Sequence, residues 1–175
     1  MTDRVLYLMI CGAGPADHVD KVITLAHERG WSVYCVATPA AVEHFLALDK
    51  LEHLTGHPVR TGYQRQGQAA LPRADAVIVA PATYNTINKW AAGIADTYVL
   101  TQLAELTGLG VPIAVLPFVN TALAANAVLD RSISALRAAG VKVLFGEGGF
   151  QPHPPRHGGR VMANYPWHLA LDAVE

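Results

Sequence analysis

Charge is scarce in this 175-residue chain: Asp, Glu, Lys and Arg make up 15% of it, thirteen basic against fourteen acidic, for a formal net charge of −1. No Lys/Arg-rich run appears, so the electrostatic footprint of a nucleic-acid binder is missing, and with it the attraction to an anionic membrane surface. Long apolar runs are also missing, since none approaches the roughly eighteen residues of a membrane span. No basic opening segment leads into an apolar run with a cleavage site, and the expected location is cytoplasmic. Cysteine is sparse. Cys11 and Cys35 both fall within apolar runs, which predicts buried free thiols rather than a disulfide framework or a metal site. What the chain does have is hydrophobic residues, 51% of the total, enough to build the core of one globular domain.

Those residues come in short runs that alternate with helical patterns. Arg4 to Cys11, Trp31 to Ala37, Asp75 to Ala80, Val111 to Leu116 and Val141 to Phe145 read as strands, several of them apolar enough to be buried on both faces. Between the first two, Val19, Val22, Ile23 and Ala26 recur at helical spacing until Gly30. Thr38-Pro39 opens a further helix with Ala41, Val42, Phe45 and Leu46 inward. Ile87, Trp90, Ala91, Ile94 and Tyr98 predict one helix from about Thr86 to Thr107, and Leu129, Ile133 and Leu136 another that stops at Gly140. The alternation predicts an α/β fold, a Rossmann-like, three-layer, doubly wound parallel sheet in a single domain. Residues 1–146 form its body. Residues 147–175 are expected to be a flexible flap and terminal segment, because Gly146 to Gly159 holds five glycines and three prolines; a short helix resumes at Trp167.

In such a sheet ligands sit outside the carboxyl ends of the strands. Four loops arrive there: Gly12 to Pro15, Thr38, Pro81 to Thr86, and Pro117 to Asn120. They carry glycine, hydroxyl and amide groups, with no carboxylate and no Ser/His/Asp set, which suits holding a cofactor better than hydrolysing an ester. Asp17 stands where the dinucleotide fingerprint needs its third glycine, and Thr38 where it needs an acid, so an ordinary NAD site is rejected. Thr83 to Thr86 have two readings, a ligand cradle or a plain helix cap.

Several of these segments together carry a family resemblance: Ile10-Cys11-Gly12-Ala13-Gly14, Leu54-Thr55-Gly56-His57-Pro58-Val59, Ala80-Pro81-Ala82-Thr83-Tyr84-Asn85-Thr86, Lys89, Gly93-Ile94-Ala95-Asp96 and Pro117-Phe118-Val119-Asn120. The chain resembles the homo-oligomeric flavin-containing cysteine decarboxylases over about residues 4 to 145. The resemblance implies a flavodoxin-like sheet with bound FMN. The phosphate would lie near Gly12, Gly14 and Thr38, and the ring near Pro81, Ala82, Thr83, Tyr84, Asn85 and Thr86. It also implies Asn120 as the catalytic residue that holds a substrate carboxylate, a small-molecule or peptide substrate with a cysteine-derived carboxylate, and a homotrimer or higher homo-oligomer with flavin near the subunit boundary.

Three departures set the alternative. Where the family has a histidine eight residues before the Asp75 strand, this chain has Gly67; Val119 replaces a methionine; and residues 146 to 175 lack the cysteine of the pantothenate enzymes' flap. The two functions in view are therefore flavin-dependent oxidative decarboxylation and a flavin-binding protein that has lost it, with a redox, regulatory or oligomeric role. His153 and His157, four apart among prolines, are read either as metal ligands, a spacing that belongs on a helix, or as groups that reach into the site when the flap closes and replace the missing base. Trp90 is read as helix packing and His57 as structural.

Overall fold

A computed structural model describes residues 4–175, so the first three residues of the expected 1–146 body lie outside the described residues. Strand β1 (Arg4–Ile10) runs through a 3-10 turn into α1 (Asp20–Glu28) and β2 (Trp31–Ala37). Helices α2 (Pro39–His44) and α3 (Leu48–Thr55) precede β3 (Ala76–Ala82), and α4 (Tyr84–Ala91) and α5 (Tyr98–Gly108) precede β4 (Ile113–Pro117). Helices α6 (Thr121–Ala124) and α7 (Ala127–Ala138) lead to β5 (Lys142–Val143), followed by α8 (Gly158–Val161) and α9 (Trp167–Asp172). All strand pairs are parallel, in the order β2-β1-β3-β4-β5. This is the doubly wound flavodoxin-like order, in which the chain turns back across the sheet between β1 and β3.

Successive strand side chains point to opposite faces, so a run that is apolar throughout can feed two layers at once. Leu6, Leu8 and Ile10 enter the layer holding Val22 and Ile23 of α1, Leu51 of α3 and Leu171 of α9. Tyr7 and Met9 enter the opposite layer with Ile87 of α4, Leu103 of α5 and Leu129 of α7.

The single helix expected from Thr86 to Thr107 is two. Gly93 adopts φ +72, its N–H bonds the Trp90 carbonyl at 3.0 Å, and the Ile94 N–H bonds that of Lys89 at 2.9 Å, a paired closure that ends α4. Thr97 then caps α5 by accepting from the Leu100 N–H at 3.3 Å. The apolar spacing runs on through the break, which hid it. The fourth strand starts later than expected, because the Val111 N–H bonds back to Leu106 in the preceding turn. The fifth is cut to two residues, since Phe145 turns away to bridge Phe150. The Gly- and Pro-rich segment after it folds back on the sheet's end: His153 bridges Asn120, and Phe150 and His153 are buried.

Candidate active site at the switch point

A cavity of about 310 Å³ opens where the chain reverses across the sheet. Its walls are Gly12 after β1, Thr38, Pro39 and Ala40 after β2, Thr83, Asn85 and Thr86 after β3, and Thr97 and Leu100 at the start of α5. None of these side chains is charged. Strand ends at a switch point necessarily converge on one crevice, which explains why residues 12, 38 and 83 meet although far apart in sequence.

Gly12 approaches the first turn of α2 so closely that an added Cβ would lie 2.9 Å from Ala40 Cβ and 3.1 Å from the Ala41 backbone nitrogen. Only glycine fits such an approach without moving the helix. Thr38 is nearly buried; its N–H donates to Ile10 O at 3.0 Å, and its Oγ1 caps α2 by accepting from the Ala41 N–H at 3.3 Å. Its hydroxyl proton is left to donate into the cavity. Thr83 Oγ1 accepts from the Thr86 N–H at 3.2 Å and donates to Thr86 Oγ1 at 3.0 Å. Thr83 is thus a helix cap, as one of the two readings had it, and it also stands in the wall of the cavity. Beneath them lies Cys11, whose thiol burial pushes up in pKa although hydrogen bonds with Thr86 and Thr83 pull it down. Cys35, buried in β2, is pushed up to about 12 by burial. Both are buried free thiols.

The other expected site residues, Gly14, Pro81, Ala82, Tyr84 and Asn120, do not line this cavity. Gly14 faces Met162, whose sulfur stands where a Cβ would go. Pro81 and Ala82 are buried at the end of β3, and the Pro81 carbonyl accepts from the Cys11 N–H at 3.2 Å. Tyr84 is half-buried, packed on the core beneath α4. Asn120 caps α6, its Oδ1 accepting from the Leu123 N–H at 2.9 Å, which fixes the amide so that Nδ2 is free to donate. Beside it the Thr121 N–H bonds the His153 carbonyl at 2.8 Å. His153 Nδ1 faces the Pro154 carbonyl at 2.9 Å and so carries the ring proton, while buried Nε2 has no partner among the described residues. Its ring lies 4.9 Å from that of Phe118.

Trp90 is buried, with its indole N–H on Thr107 Oγ1 at 3.2 Å, as expected of helix packing. His57 stacks on Tyr34 at 3.9 Å beside Ser32 Oγ, and burial lowers its pKa. Gly67 stands in an exposed loop at φ +82. Thr97 and Leu100 escaped sequence reasoning; the signal was Gly93, which marks where a new helix must begin.

The model of the family described as Flavoprotein matches residues 4–158. The chain belongs to the Flavoprotein family. Over 150 residues this flavoprotein is 34% identical to the coenzyme A biosynthesis bifunctional protein CoaBC of Thermococcus kodakarensis, covering 82% of this chain but 37% of that protein's length. It is 29% identical over 154 residues to the probable phosphopantothenoylcysteine decarboxylase of Streptococcus mutans, 82% of this chain and 83% of that one. Its fold matches that of the FMN-dependent cysteine decarboxylase TvaF from thioviridamide biosynthesis, with TM-score 0.73 and 24% identity over 98% of each chain.

Proposed function

We propose that this flavoprotein binds FMN in the switch-point cavity and uses it in the oxidative decarboxylation of a cysteine-derived carboxylate, on a small molecule or at the end of a peptide. The observation that carries the cofactor is the cradle itself: uncharged walls, the free hydroxyl proton of Thr38, and a Gly12 backbone held where no side chain fits. Such a site accepts an anionic phosphate next to a flat ring. Because Met162 covers Gly14, the phosphate belongs with Gly12 and Thr38. FMN bound there supplies a two-electron oxidant. The names of TvaF and the Streptococcus protein support the same chemistry. Asn120 Nδ2 donates to the substrate carboxylate, and His153, bridged to Asn120 and with an unpartnered Nε2, takes the part of the histidine missing at Gly67. The active form is a homotrimer or a larger homo-oligomer.

A second reading, a flavin binder without decarboxylase activity, is favoured by Gly67 and by the absence of cysteine from residues 146–175. One experiment separates them. The purified protein is checked for a flavin spectrum, then mixed anaerobically with cysteine-terminated peptides and with phosphopantothenoylcysteine. Flavin bleaching with carbon dioxide release supports decarboxylation; a bound flavin that none of them reduces supports the binder; absence of flavin after loading removes both.

A further inference from the structure

Arg60 is 4% exposed, yet its guanidinium meets only neutral acceptors: Nη1 donates to Gln68 Oε1 at 2.7 Å and Nη2 to the Ala69 carbonyl at 2.6 Å. Among the described residues neither Arg60 nor Arg65 makes an ion pair. A guanidinium stays protonated inside a protein. Its desolvation is therefore only partly offset by carbonyl and amide partners, and an anion is the missing complement. The backbone holds Arg60 inward, because its N–H bonds the Cys35 carbonyl and its carbonyl accepts from the Ala37 N–H, both at 2.9 Å along the edge of β2.

Next to the guanidinium lies a cavity of about 250 Å³ walled by Arg60, Thr61, Gly62, Tyr63, Arg65 and Gln68. Two cations and several neutral donors line it, and no carboxylate does. Tyr63 closes one side, with its hydroxyl 3.2 Å from Thr101 Oγ1 and its ring edge-on to Tyr98 at 5.2 Å. Helix α5 thus connects the two cavities: Thr97 and Leu100 line the switch point, and Tyr98 and Thr101 touch Tyr63 in the wall of the arginine cavity.

We propose that Arg60 and Arg65 form an oxyanion subsite, for a phosphate or carboxylate group, beside the switch-point cavity. Its ligand is the acidic end of a substrate whose reacting end lies in that cavity; this last clause rests on the function proposed above, whereas oxyanion binding does not.

The test is a titration of the FMN-loaded protein, whose phosphate site is filled, with inorganic phosphate and separately with acetate, at ionic strength held constant with chloride. The backbone amides of Gly62 and Gly67 are followed by NMR. Saturable shifts at these amides with either anion are expected, and the stronger ligand names the group recognised. Binding should weaken at least tenfold in Arg65→Gln, whose site is exposed and whose fold is not at risk, and vanish in Arg60→Gln. Repeating the titration on flavin-free chain separates the two readings, since the shifts persist there even if FMN never binds. Unmoved amides, or equal affinity in Arg65→Gln and the native chain, would overturn the subsite. So would loss of oligomers in Arg60→Gln without any response to anions, which would assign the arginine to a carboxylate of another copy.

Discussion

Gly12 is the residue on which the proposed cofactor site turns. Its missing side chain lets the end of β1 press against the start of α2, and an alanine there would bring a methyl 2.9 Å from Ala40 Cβ. The turn would have to back away, moving the donors that face the cavity. Gly12→Ala is expected to fold and to lose FMN affinity by at least tenfold, about 1.4 kcal/mol, measured by flavin retained on ultrafiltration. His57 tests a different property at the same scale. Burial first, and the charge of His27 second, hold its pKa below the ordinary value of about 6.5. Between those two values the unfolded chain binds the proton that the folded chain refuses, so stability rises with pH through that window and falls as pH drops below about 6.5. Denaturant midpoints measured across this range should show a shallower slope in His57→Phe, which keeps the stack on Tyr34 and removes the titration. An unchanged slope would rule His57 out as a source of the pH dependence.

At the scale of elements, the segment that leads into the last helix is fastened to the sheet by a buried polar contact in an apolar setting. The buried Tyr165 hydroxyl donates to the Leu116 carbonyl of β4 at 2.5 Å, and burial raises its pKa well above that of a free phenol. Its ring also packs edge-on against Trp167 at 4.7 Å. Tyr165→Phe keeps the packing and strands the carbonyl, at a cost of about 1–3 kcal/mol. A lowered denaturation midpoint with unchanged circular dichroism is the expected result. The elements differ in how far sequence reveals them. Strand β2 is readable to the residue, because Gly30 and Thr38 bound an apolar run that fills both layers. Helices α4 and α5 are not, because the apolar spacing continues across Gly93 and only its left-handed backbone records the stop. The site divides in the same way. Gly12, Thr38, Thr83, Asn85 and Thr86 can be placed from strand ends, which topology gathers. Thr97 and Leu100 depend on the hidden break, and the His153–Asn120 bridge depends on a tail whose glycines and prolines leave no periodicity to read.

At the scale of the whole molecule, apolar side chains left on the outside bear on assembly. Ile94 follows α4, Leu123 lies in α6 and Val128 in α7, with 46%, 37% and 40% of their surfaces exposed. Helices α4 and α7 pack on each other, so these residues belong to neighbouring elements beside the break that leads into the switch-point wall. The proposed homo-oligomer would bury these side chains between copies. Sedimentation velocity should therefore give a mass several times the 18.7 kDa of one chain. The pair Ile94→Asp and Val128→Asp should shift it toward monomer with unchanged circular dichroism, since both sites are open to water in a single chain. If FMN retention falls together with assembly, a neighbouring copy completes the cavity that one chain leaves open. If monomers form and hold flavin as tightly as before, the cradle of Gly12, Thr38 and Thr83 is sufficient, and assembly serves the substrate end instead. An assembly that survives both substitutions would place the contact on another face.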